Sequence, residues 1–376
     1  MRRTVMAGLL PAFILLFTIP AAAGCPTWRA VAETLIHTGI IEPAPAVITF
    51  TGDVMLTNHV DYYLNRFGDD YPFQALRPWL DDSDLTIGNL ESPVTARGEP
   101  FPDKRFTFRT KPGAVRSLLA CPFQVCTLAN NHMGDYGPTG VLDTLQHLDD
   151  AGILHAGAGR DLTEARRPAL VDLTPAGSSP ATREKPAGAV RIAVLAYSKT
   201  FPFEFFARDN KPGTADGDDA YLPADIAAAR AAADLVVICV HWGAELMTTP
   251  KDYQTSFAHL AIDLGADLVI GNHPHVLQPL ECYKGKLIAY SLGNFVFGSY
   301  SRKAVESILL RVMVRGGRLS SAEIVPISVD NVTLNFQPRP LRKHAAAVLL
   351  EYLRIASAPF NAPILISDDT GLINLE

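Results

Sequence analysis

Cysteine is scarce in this sequence, and positive charge does not exceed negative charge. The 376 residues include only five cysteines, and no two of them form a CxxC pair. This spacing excludes the thiolate clusters that bind structural zinc. The formal net charge is −6, whereas a nucleic-acid partner requires a basic surface to neutralise its phosphates. We therefore expect neither a zinc cluster nor a nucleic-acid partner.

The first 25 residues have the order of an export signal. Arg2 and Arg3 precede the uncharged stretch 4–24, whose apolar centre is followed by small residues and Cys25. Three alternatives remain open: cleavage among the small residues, acylation of Cys25 at a lipobox-like ending, or retention as an anchor, because the stretch is long enough to cross a bilayer. All three predict export, with the protein either held at the outer face of the membrane or periplasmic or secreted.

From residue 46 onward, short β-rich runs alternate with helical patterns, which predicts βαβ construction in a domain over residues 46–300. Residues 301–376 predict a C-terminal extension with a β-meander and a helix. Two segments, 175–188 and 201–220, have the composition of surface loops. The second carries cationic residues after a strand end and is a candidate border of a substrate cleft, with a solvated loop as the alternative. The predicted strands are 47–51, 85–88, 106–109, 125–129, 169–173, 190–196, 235–240, 268–271, 287–290, 307–314, 319–327 and 332–336.

Residues that can bind a metal recur directly after five of the predicted strands. A single residue of this kind usually makes a turn or has a structural role. Five strand ends of one α/β sheet system, however, favour a shared site. Carboxylate, amide and imidazole ligands form a set that suits Mn, Fe or Zn and differs from a thiolate site. We therefore expect one or two divalent ions. The residues in question are Asp53, Glu91, Asn131 with His132, His241, and His273 with His275.

The step His273-Pro274-His275 carries a local prediction of its own. A residue before proline is pushed toward extended backbone. Alternation along an extended chain then points both histidines to the same side. We therefore expect both imidazoles to serve one site.

Six short motifs stand at or near the ends of the predicted strands. They are Thr-Gly-Asp-Val-Met-Leu at 51–56, Gly-Asn-Leu-Glu at 88–91, Ala-Asn-Asn-His at 129–132 with Asp135 and Gly137, His-Trp-Gly at 241–243 with Glu245, Gly-Asn-His-Pro-His-Val at 271–276, and Ser-Leu-Gly-Asn-Phe at 291–295. Together they resemble the CapA family of bacterial capsule-synthesis, or poly-γ-glutamate biosynthesis, proteins. That family is similar to calcineurin-like metallophosphoesterases, which implies an α/β fold, a four-layer α/β/β/α sandwich around a metal centre. In this chain a C-terminal β-rich extension would follow it.

The resemblance also implies roles for individual residues. Glu91 occupies the place of a bridging carboxylate, and His132 that of the acid for the leaving group. Met55 stands where the phosphoesterase pattern has a histidine, which makes the second metal position incomplete. The implied catalytic residues are His132 and Asp53, and the implied metal ligands are Asp53, Glu91, Asn131, His241, His273 and His275. The candidates for substrate binding or support of the ligands are Asn89, Asn130, Asp135, Arg109, Glu245 and Asn294. The alternatives are a surface salt bridge for Arg109, a solvent-exposed position for Glu245, and a role in a turn for Asp135 and Asn294.

Two functions follow as expectations from this resemblance. The first is a metal-dependent hydrolase of the cell envelope that acts on a phosphoester or amide of an anionic polymer such as poly-γ-glutamate. The second is a non-catalytic accessory subunit that binds the polymer beside membrane-bound synthase or export subunits. The histidine missing at Met55 favours the second. The metal content of the protein discriminates between them.

Overall fold

Alternating apolar strands and helices build two sheets in this protein. The computed structural model describes residues 44–173 and 189–376, and residues 46–376 form one compact unit. The predicted signal segment 1–25 and the predicted loop 175–188 lie outside the described residues. Within the described ranges, no helix is both long and apolar enough to span a membrane.

The strands and helices are numbered in chain order. The strands are β1 (Ala46–Met55), β2 (Leu85–Leu90), β3 (Val125–Thr127), β4 (Leu154–Ala156), β5 (Ala158–Gly159), β6 (Ala169–Leu173), β7 (Val190–Ser198), β8 (Gly213–Thr214), β9 (Leu235–His241), β10 (Leu268–Asn272), β11 (Leu280–Tyr283), β12 (Lys286–Ala289), β13 (Asn294–Phe297), β14 (Glu306–Arg315), β15 (Arg318–Ser328), β16 (Arg339–Pro340), β17 (Leu365–Ser367) and β18 (Thr370–Asn374). The α-helices are α1 (His59–Phe67), α2 (Arg77–Leu80), α3 (Val115–Ala120), α4 (Gly137–Asp150), α5 (Leu162–Ala165), α6 (Leu222–Ala232), α7 (Asp252–Asp263), α8 (Asn331–Leu334) and α9 (Lys343–Ser357). Short 3₁₀ turns occur at Tyr71–Leu76, Pro112–Ala114, Phe203–Phe205, Asp219–Tyr221 and Ala358–Phe360.

The larger sheet has the order β17-β18-β15-β14-β1-β2-β3-β4, with β13 also paired to β1 and β16 to β15. The second sheet has the order β11-β12-β10-β9-β7-β6, and β5 pairs with β8 separately. Strands β1 to β4 run parallel to one another, as do β7, β9, β10 and β12. Parallel strands end at the same edge, so each sheet collects the residues that follow its strands.

Side-chain alternation shows how the layers stack. On β9, Val237 and Cys239 join a core that also contains Ile48 and Phe50 of the other sheet. The intervening Ile238 faces a second core under α6 and α7. Helices α1, α3 and α4 cover the opposite face of the larger sheet through a third core. Because a strand sends successive side chains to opposite faces, the layers are helix, sheet, sheet, helix. The predicted α/β class and four-layer α/β/β/α sandwich are confirmed.

The C-terminal residues extend the larger sheet instead of forming a separate core. Strand β14 pairs antiparallel with β1, and β15 pairs with both β14 and β18. The turn between β14 and β15 uses Gly316 and Gly317, both with positive φ. The predicted strand 332–336 is wrong, because the Asp330 carboxylate accepts a hydrogen bond from Val332 N and caps the short helix α8.

The predicted strand 106–109 is also wrong. Its alternating Phe and Thr residues favour a strand, but the segment forms no sheet hydrogen bonds of a named strand. Instead, Phe108 N donates to Asp135 Oδ2 at 2.7 Å. A tertiary contact to a site residue therefore replaces the pairing that local propensity predicts.

Candidate metal centre

The strand ends of both sheets meet at one group of polar side chains. Asp53 lies on β1 opposite Asn89 of β2, and Glu91 follows directly. In the other sheet, His241 at the end of β9 lies opposite Asn272 of β10, which precedes His273. Asp53, Glu91 and His241 are buried. The two sheets thus deliver carboxylates and imidazoles to the same interior region.

Glycines beside these residues permit the close approach of neighbouring strands. A Cβ on Gly52 would lie 2.1 Å from the carbonyl oxygen of Gly293, and one on Gly271 would lie 2.0 Å from that of Tyr290. Asp53 N donates to the same Gly293 oxygen at 3.0 Å. The glycine before Asp53 is therefore required to seat this carboxylate against the turn at residue 293.

Two overlapping groups of side chains present possible ligand atoms within 4.8 Å of one another. Glu91, His241 and His273 form the first, and Asp53, Glu91 and His275 form the second. Glu91 Oε1 lies 3.6 Å from His241 Nε2 and 3.9 Å from His275 Nε2. Asp53 Oδ2 lies 3.2 Å from His275 Nδ1. Glu91 therefore belongs to both groups.

Two asparagines join the groups, and a third supports them. Asn89 Nδ2 donates to Asp53 Oδ1 at 2.8 Å. Asn131 Oδ1 lies 2.7 Å from His241 Nε2, which places an amide oxygen beside the first group. Asn130 Nδ2 donates to Asn89 Oδ1 at 3.2 Å. Asn130 Oδ1 accepts hydrogen bonds from the backbone N–H groups of His132 and Met133. Asn130 therefore positions its neighbours.

The electrostatics of the centre favour a cation. Burial and the adjacent Asp53 carboxylate hold the pKa of Glu91 well above its usual range. Glu91 Oε1 has no hydrogen-bond partner among the described residues. An unpaired buried carboxylate oxygen is costly unless a cation or proton compensates it. The donor set of two carboxylates, an amide and three imidazoles fits a divalent metal.

The imidazoles are suited to metal binding, because burial favours the neutral form of His241 and His273, and because His275 is hydrogen-bonded to Asp53. Burial lowers the pKa of His241 well below its usual value and that of His273 to about 3. Burial acts to lower the pKa of His275, but the hydrogen bond and charge of Asp53, together with Glu245 and Asn294, outweigh burial and raise the pKa. Neutral imidazole is the form that ligates metals, so His241 and His273 need no deprotonation.

A second polar cluster adjoins the ligand groups at His132. Its Nδ1 lies 2.7 Å from Asp135 Oδ2, and the ring centre lies 4.8 Å from that of Phe108. Lys104 Nζ donates to Asp135 Oδ1 and to the backbone oxygen of Asn131, and it lies 3.0 Å from His132 Nδ1. Burial lowers the pKa of His132, although its hydrogen bond to the Asp135 carboxylate opposes this. The Nδ1 of His132 is therefore engaged by a carboxylate.

Lys104 is the site residue that the sequence did not indicate. It lies in an irregular segment with no strand or motif to mark it, and only folding brings it to Asp135. Burial lowers its pKa, with the Asp135 carboxylate acting in the opposite direction. The nearest sequence pattern is the alternation at 106–109, which wrongly predicts a strand.

The backbone at the two histidines differs from the prediction. His273 has φ 99° and His275 has φ 60°, so neither is extended. Both lie in the left-handed region, which a non-glycine residue adopts at a cost when its surroundings require it. The two rings, 5.9 Å apart, enter different ligand groups that share Glu91. The contacts of the imidazoles therefore outweigh the preference of His273, which precedes Pro274, for extended backbone.

The remaining predicted residues occupy distinct positions. Asn294 Oδ1 lies 2.9 Å from His275 Nδ1, so it orients that ring. Glu245 is exposed, and its charge contributes to raising the pKa of both Glu91 and His275. The guanidinium of Arg109 lies 4.7 Å from the ring centre of Tyr136 instead of on a ligand residue. Asn89, Asn130 and Asp135 contact the ligand groups or His132 as described above.

Known proteins with similar sequences identify the family. Residues 47–299 match the family described as bacterial capsule synthesis protein PGA_cap. The chain is 31% identical to the capsule biosynthesis protein CapA of Bacillus anthracis, over 81% of this chain and 72% of that protein. It is 33% identical to the PGA biosynthesis protein CapA of Bacillus subtilis, over 78% and 73%. A probable polyglutamine synthesis accessory protein of Mycobacterium tuberculosis is 34% identical over 67% and 68%.

Among solved structures, the sulfate thiohydrolase SoxB of Thermus thermophilus matches 85% of this chain and 61% of its own, with 16% identity and a TM-score of 0.39. The sequence matches cover most of the chain at more than 30% identity. The chain therefore belongs to the family of bacterial capsule synthesis proteins.

Proposed function

We propose that this member of the bacterial capsule synthesis family is an exported, metal-dependent hydrolase of the cell envelope. Its substrate would be a phosphoester or amide of an anionic polymer such as poly-γ-glutamate. The observation that carries the proposal is the buried Glu91, which is shared by two ligand groups and has an unpaired oxygen. A protein that needed these residues only for folding would have paired this carboxylate internally.

Mn, Fe or Zn would be held by Glu91, His241 and His273 with Asn131, and a second ion by Asp53, Glu91 and His275. When bound, such an ion supplies Lewis-acid polarisation of the scissile group and lowers the pKa of water. The protein side chains fix the geometry. Asn89 and Asn294 hold Asp53 and His275 in place through the hydrogen bonds described above.

His132 would handle the proton. Asp135 engages its Nδ1, which leaves Nε2 as the nitrogen that exchanges a proton with substrate. Burial lowers the pKa of His132, so the ring would take a proton from the water that attacks the substrate and would deliver that proton to the leaving group. Lys104 donates to Asp135 and thereby fixes the carboxylate that orients the ring.

The test combines metal analysis with hydrolysis assays on purified protein. Glu91→Gln and His241→Ala are expected to lose bound metal and hydrolysis of both a chromogenic phosphoester and poly-γ-glutamate. His132→Ala is expected to keep metal and lose hydrolysis. The matched control is His259→Ala, since His259 pairs with Glu281 and belongs to neither ligand group. Retention of metal and activity in both ligand variants would reject the proposal.

A second candidate is a non-catalytic accessory subunit that binds the polymer beside membrane-bound synthase or export subunits. It is favoured by Met55, which stands where the phosphoesterase pattern has a histidine, and by the relative named as a synthesis accessory protein. Its signature is purified protein without transition metal that still binds poly-γ-glutamate. Metal-dependent turnover of either substrate class would exclude it.

A further inference from the structure

Two buried glutamines lie beside the loop 243–251, which joins β9 to α7. Gln254 of α7 is 0% exposed, and Gln278, which follows β10, is 1% exposed. Gln254 Nε2 donates to Gln278 Oε1 at 3.0 Å. A buried amide is costly unless it is hydrogen-bonded, so the other partners of these two side chains indicate their role. The two residues are called the glutamine pair.

The glutamine pair binds the backbone of the loop. Gln278 Nε2 donates to the carbonyl oxygens of Met247 and Thr249, at 2.9 and 3.3 Å. Lys251 N donates to Gln254 Oε1 at 2.9 Å. Three backbone groups in the second half of the loop are thus held by two interior side chains.

Apolar burial contributes little to the position of this loop. The side chains of residues 245–249 are all exposed. At the start of the loop, Gly243 N donates to the hydroxyl of Tyr253 at 2.7 Å. A Cβ on Gly243 would lie 3.1 Å from Gln254 Oε1, so glycine permits the loop to pass close to the glutamine pair. Polar contacts therefore fix the loop near both of its ends.

The loop reaches the metal centre at Pro274. Leu246 N donates to Pro274 O at 2.8 Å. Pro274 lies between His273, with φ 99°, and His275, with φ 60°. Left-handed backbone is unfavourable for both histidines and persists only where neighbouring contacts impose it. The hydrogen bond from Leu246 is such a contact, and its position depends on where the loop is held.

Two other contacts fix the ends of this left-handed step. His273 N donates to Asp53 Oδ2 at 3.3 Å, and Ser291 Oγ donates to Val276 O at 2.7 Å. Leu246 contacts the middle of the step, between the two imidazoles. The middle is therefore the part that depends on the loop.

We propose that Gln254 and Gln278 are positioning residues of the metal centre. By fixing the loop against Pro274, they keep His273 and His275 in the backbone conformations that direct their imidazoles to different ligand groups. The link to metal binding rests on the proposed function. The effect on the backbone of the two histidines does not, because it belongs to the protein without metal.

The first test uses the full chain free of metal. Gln278→Met keeps a side chain of similar length and removes both donors. We expect the Leu246 amide to exchange with deuterium roughly tenfold faster, and diethyl pyrocarbonate to acylate His273 roughly tenfold faster, because loss of such hydrogen bonds favours local opening by about that factor. Mass spectrometry measures both rates.

The matched control is Gln124→Met. Gln124 Oε1 also accepts a hydrogen bond from a backbone N–H, that of Thr86 at 2.7 Å, but it does so at the start of β2, the end of that strand away from Glu91. Gln124→Met should leave both rates unchanged. Unchanged rates in Gln278→Met, or equal increases in the two variants, would overturn the inference.

The second test is titration with Mn²⁺. Gln254→Met and Gln278→Met should each weaken Mn²⁺ binding by about ten- to a hundredfold, as is common when a residue that orients metal ligands is lost. The double variant should bind about as weakly as the weaker single variant, because both side chains act through one loop.

Wild-type affinity for Mn²⁺ in Gln278→Met would overturn the positioning role even if amide exchange increased. Wild-type protein that binds no Mn²⁺ would instead reject the metal-dependent hydrolase. The exchange and acylation rates of metal-free protein would then decide by themselves whether the glutamine pair positions the two histidines.

Discussion

The carboxylates of Asp225 and Glu91 both lie largely out of solvent, but their surroundings differ. Asp225 accepts two hydrogen bonds from Arg166, at 2.9 and 2.7 Å, and one from the hydroxyl of Tyr197 at 2.8 Å. Glu91 faces the Asp53 carboxylate, and one of its oxygens has no hydrogen-bond partner in the described part of the chain. The charge of Asp225, which stabilises the fold, is neutralised within the protein. The carboxylate of Glu91 at the metal centre has no such partner and is available to a cation.

The largest effect on stability is expected at the paired carboxylate. Asp225→Ala leaves the Arg166 guanidinium without its partner, and we expect the free energy of unfolding to fall by about 3 kcal/mol. Urea unfolding measures this change. The control is Asp219→Ala, because the Asp219 side chain is 55% exposed in its pair with Lys199, and such pairs contribute up to about 1 kcal/mol. Equal losses in the two variants would contradict the contrast.

Metal removal should have the next largest effect. An ion present at 100 times its dissociation constant stabilises the folded state by about 2.7 kcal/mol, so a chelator should lower the free energy of unfolding by roughly that amount. In Glu91→Gln the chelator should have little effect, because both ligand groups lose their shared carboxylate. A chelator effect that is the same in wild type and Glu91→Gln would show that the ion binds elsewhere.

The pH dependence of metal-free protein tests the open carboxylate directly. The pKa of Glu91 is raised in the folded state, so between its usual value and the raised value the folded protein holds a proton that the unfolded chain has lost. Stability should therefore fall as pH rises through this window, with a slope of up to about 1.4 kcal/mol per pH unit.

Glu91→Gln, which cannot ionise, is the matched variant for that measurement. Its stability should change less with pH over the same window, and at neutral pH it should exceed that of metal-free wild type. Parallel pH profiles of the two proteins would show that another group carries the dependence.

The smallest effect is expected at Lys104. Like Arg166, it is paired with an aspartate, here Asp135, but it also lies beside His132. Lys104→Met should lower kcat by roughly tenfold, as is common when a residue that orients a catalytic group is lost. KM and metal content should not change, and Lys104→Arg should restore part of kcat. Loss of metal in Lys104→Met would instead assign Lys104 to support of Asn131, whose backbone oxygen it contacts.

The sequence predicted which residues gather at the centre better than it predicted their geometry. Asp53, Glu91 and His241 were identifiable because each follows or ends an apolar strand, and parallel strands bring such positions together. The assignment of His273 and His275 to one extended step was wrong, because tertiary contacts hold both in the left-handed region. Lys104 lay in an irregular loop with no period, and no local pattern marks such a residue.

The same distinction applies to the fold. Apolar runs and helical periods predicted most strands and the α/β class, since burial of one face per element is a local pattern. The four-layer sandwich was implied by the family resemblance. The helix α1 was not predicted, and the segments 106–109 and 332–336 were predicted as strands although a site contact and a helix cap decide their structure.

The amino-acid sequence by itself determined which residue types stand at the strand ends, and with them the family and the chemical nature of the site. Only the tertiary structure decided that Glu91 is shared between two ligand groups and that Lys104 joins His132 and Asp135. The physical reason is range. Periodicity and strand-end position are encoded within a few residues, whereas burial, pKa and the pairing of charges depend on atoms that are distant in the chain and meet only when the two sheets pack.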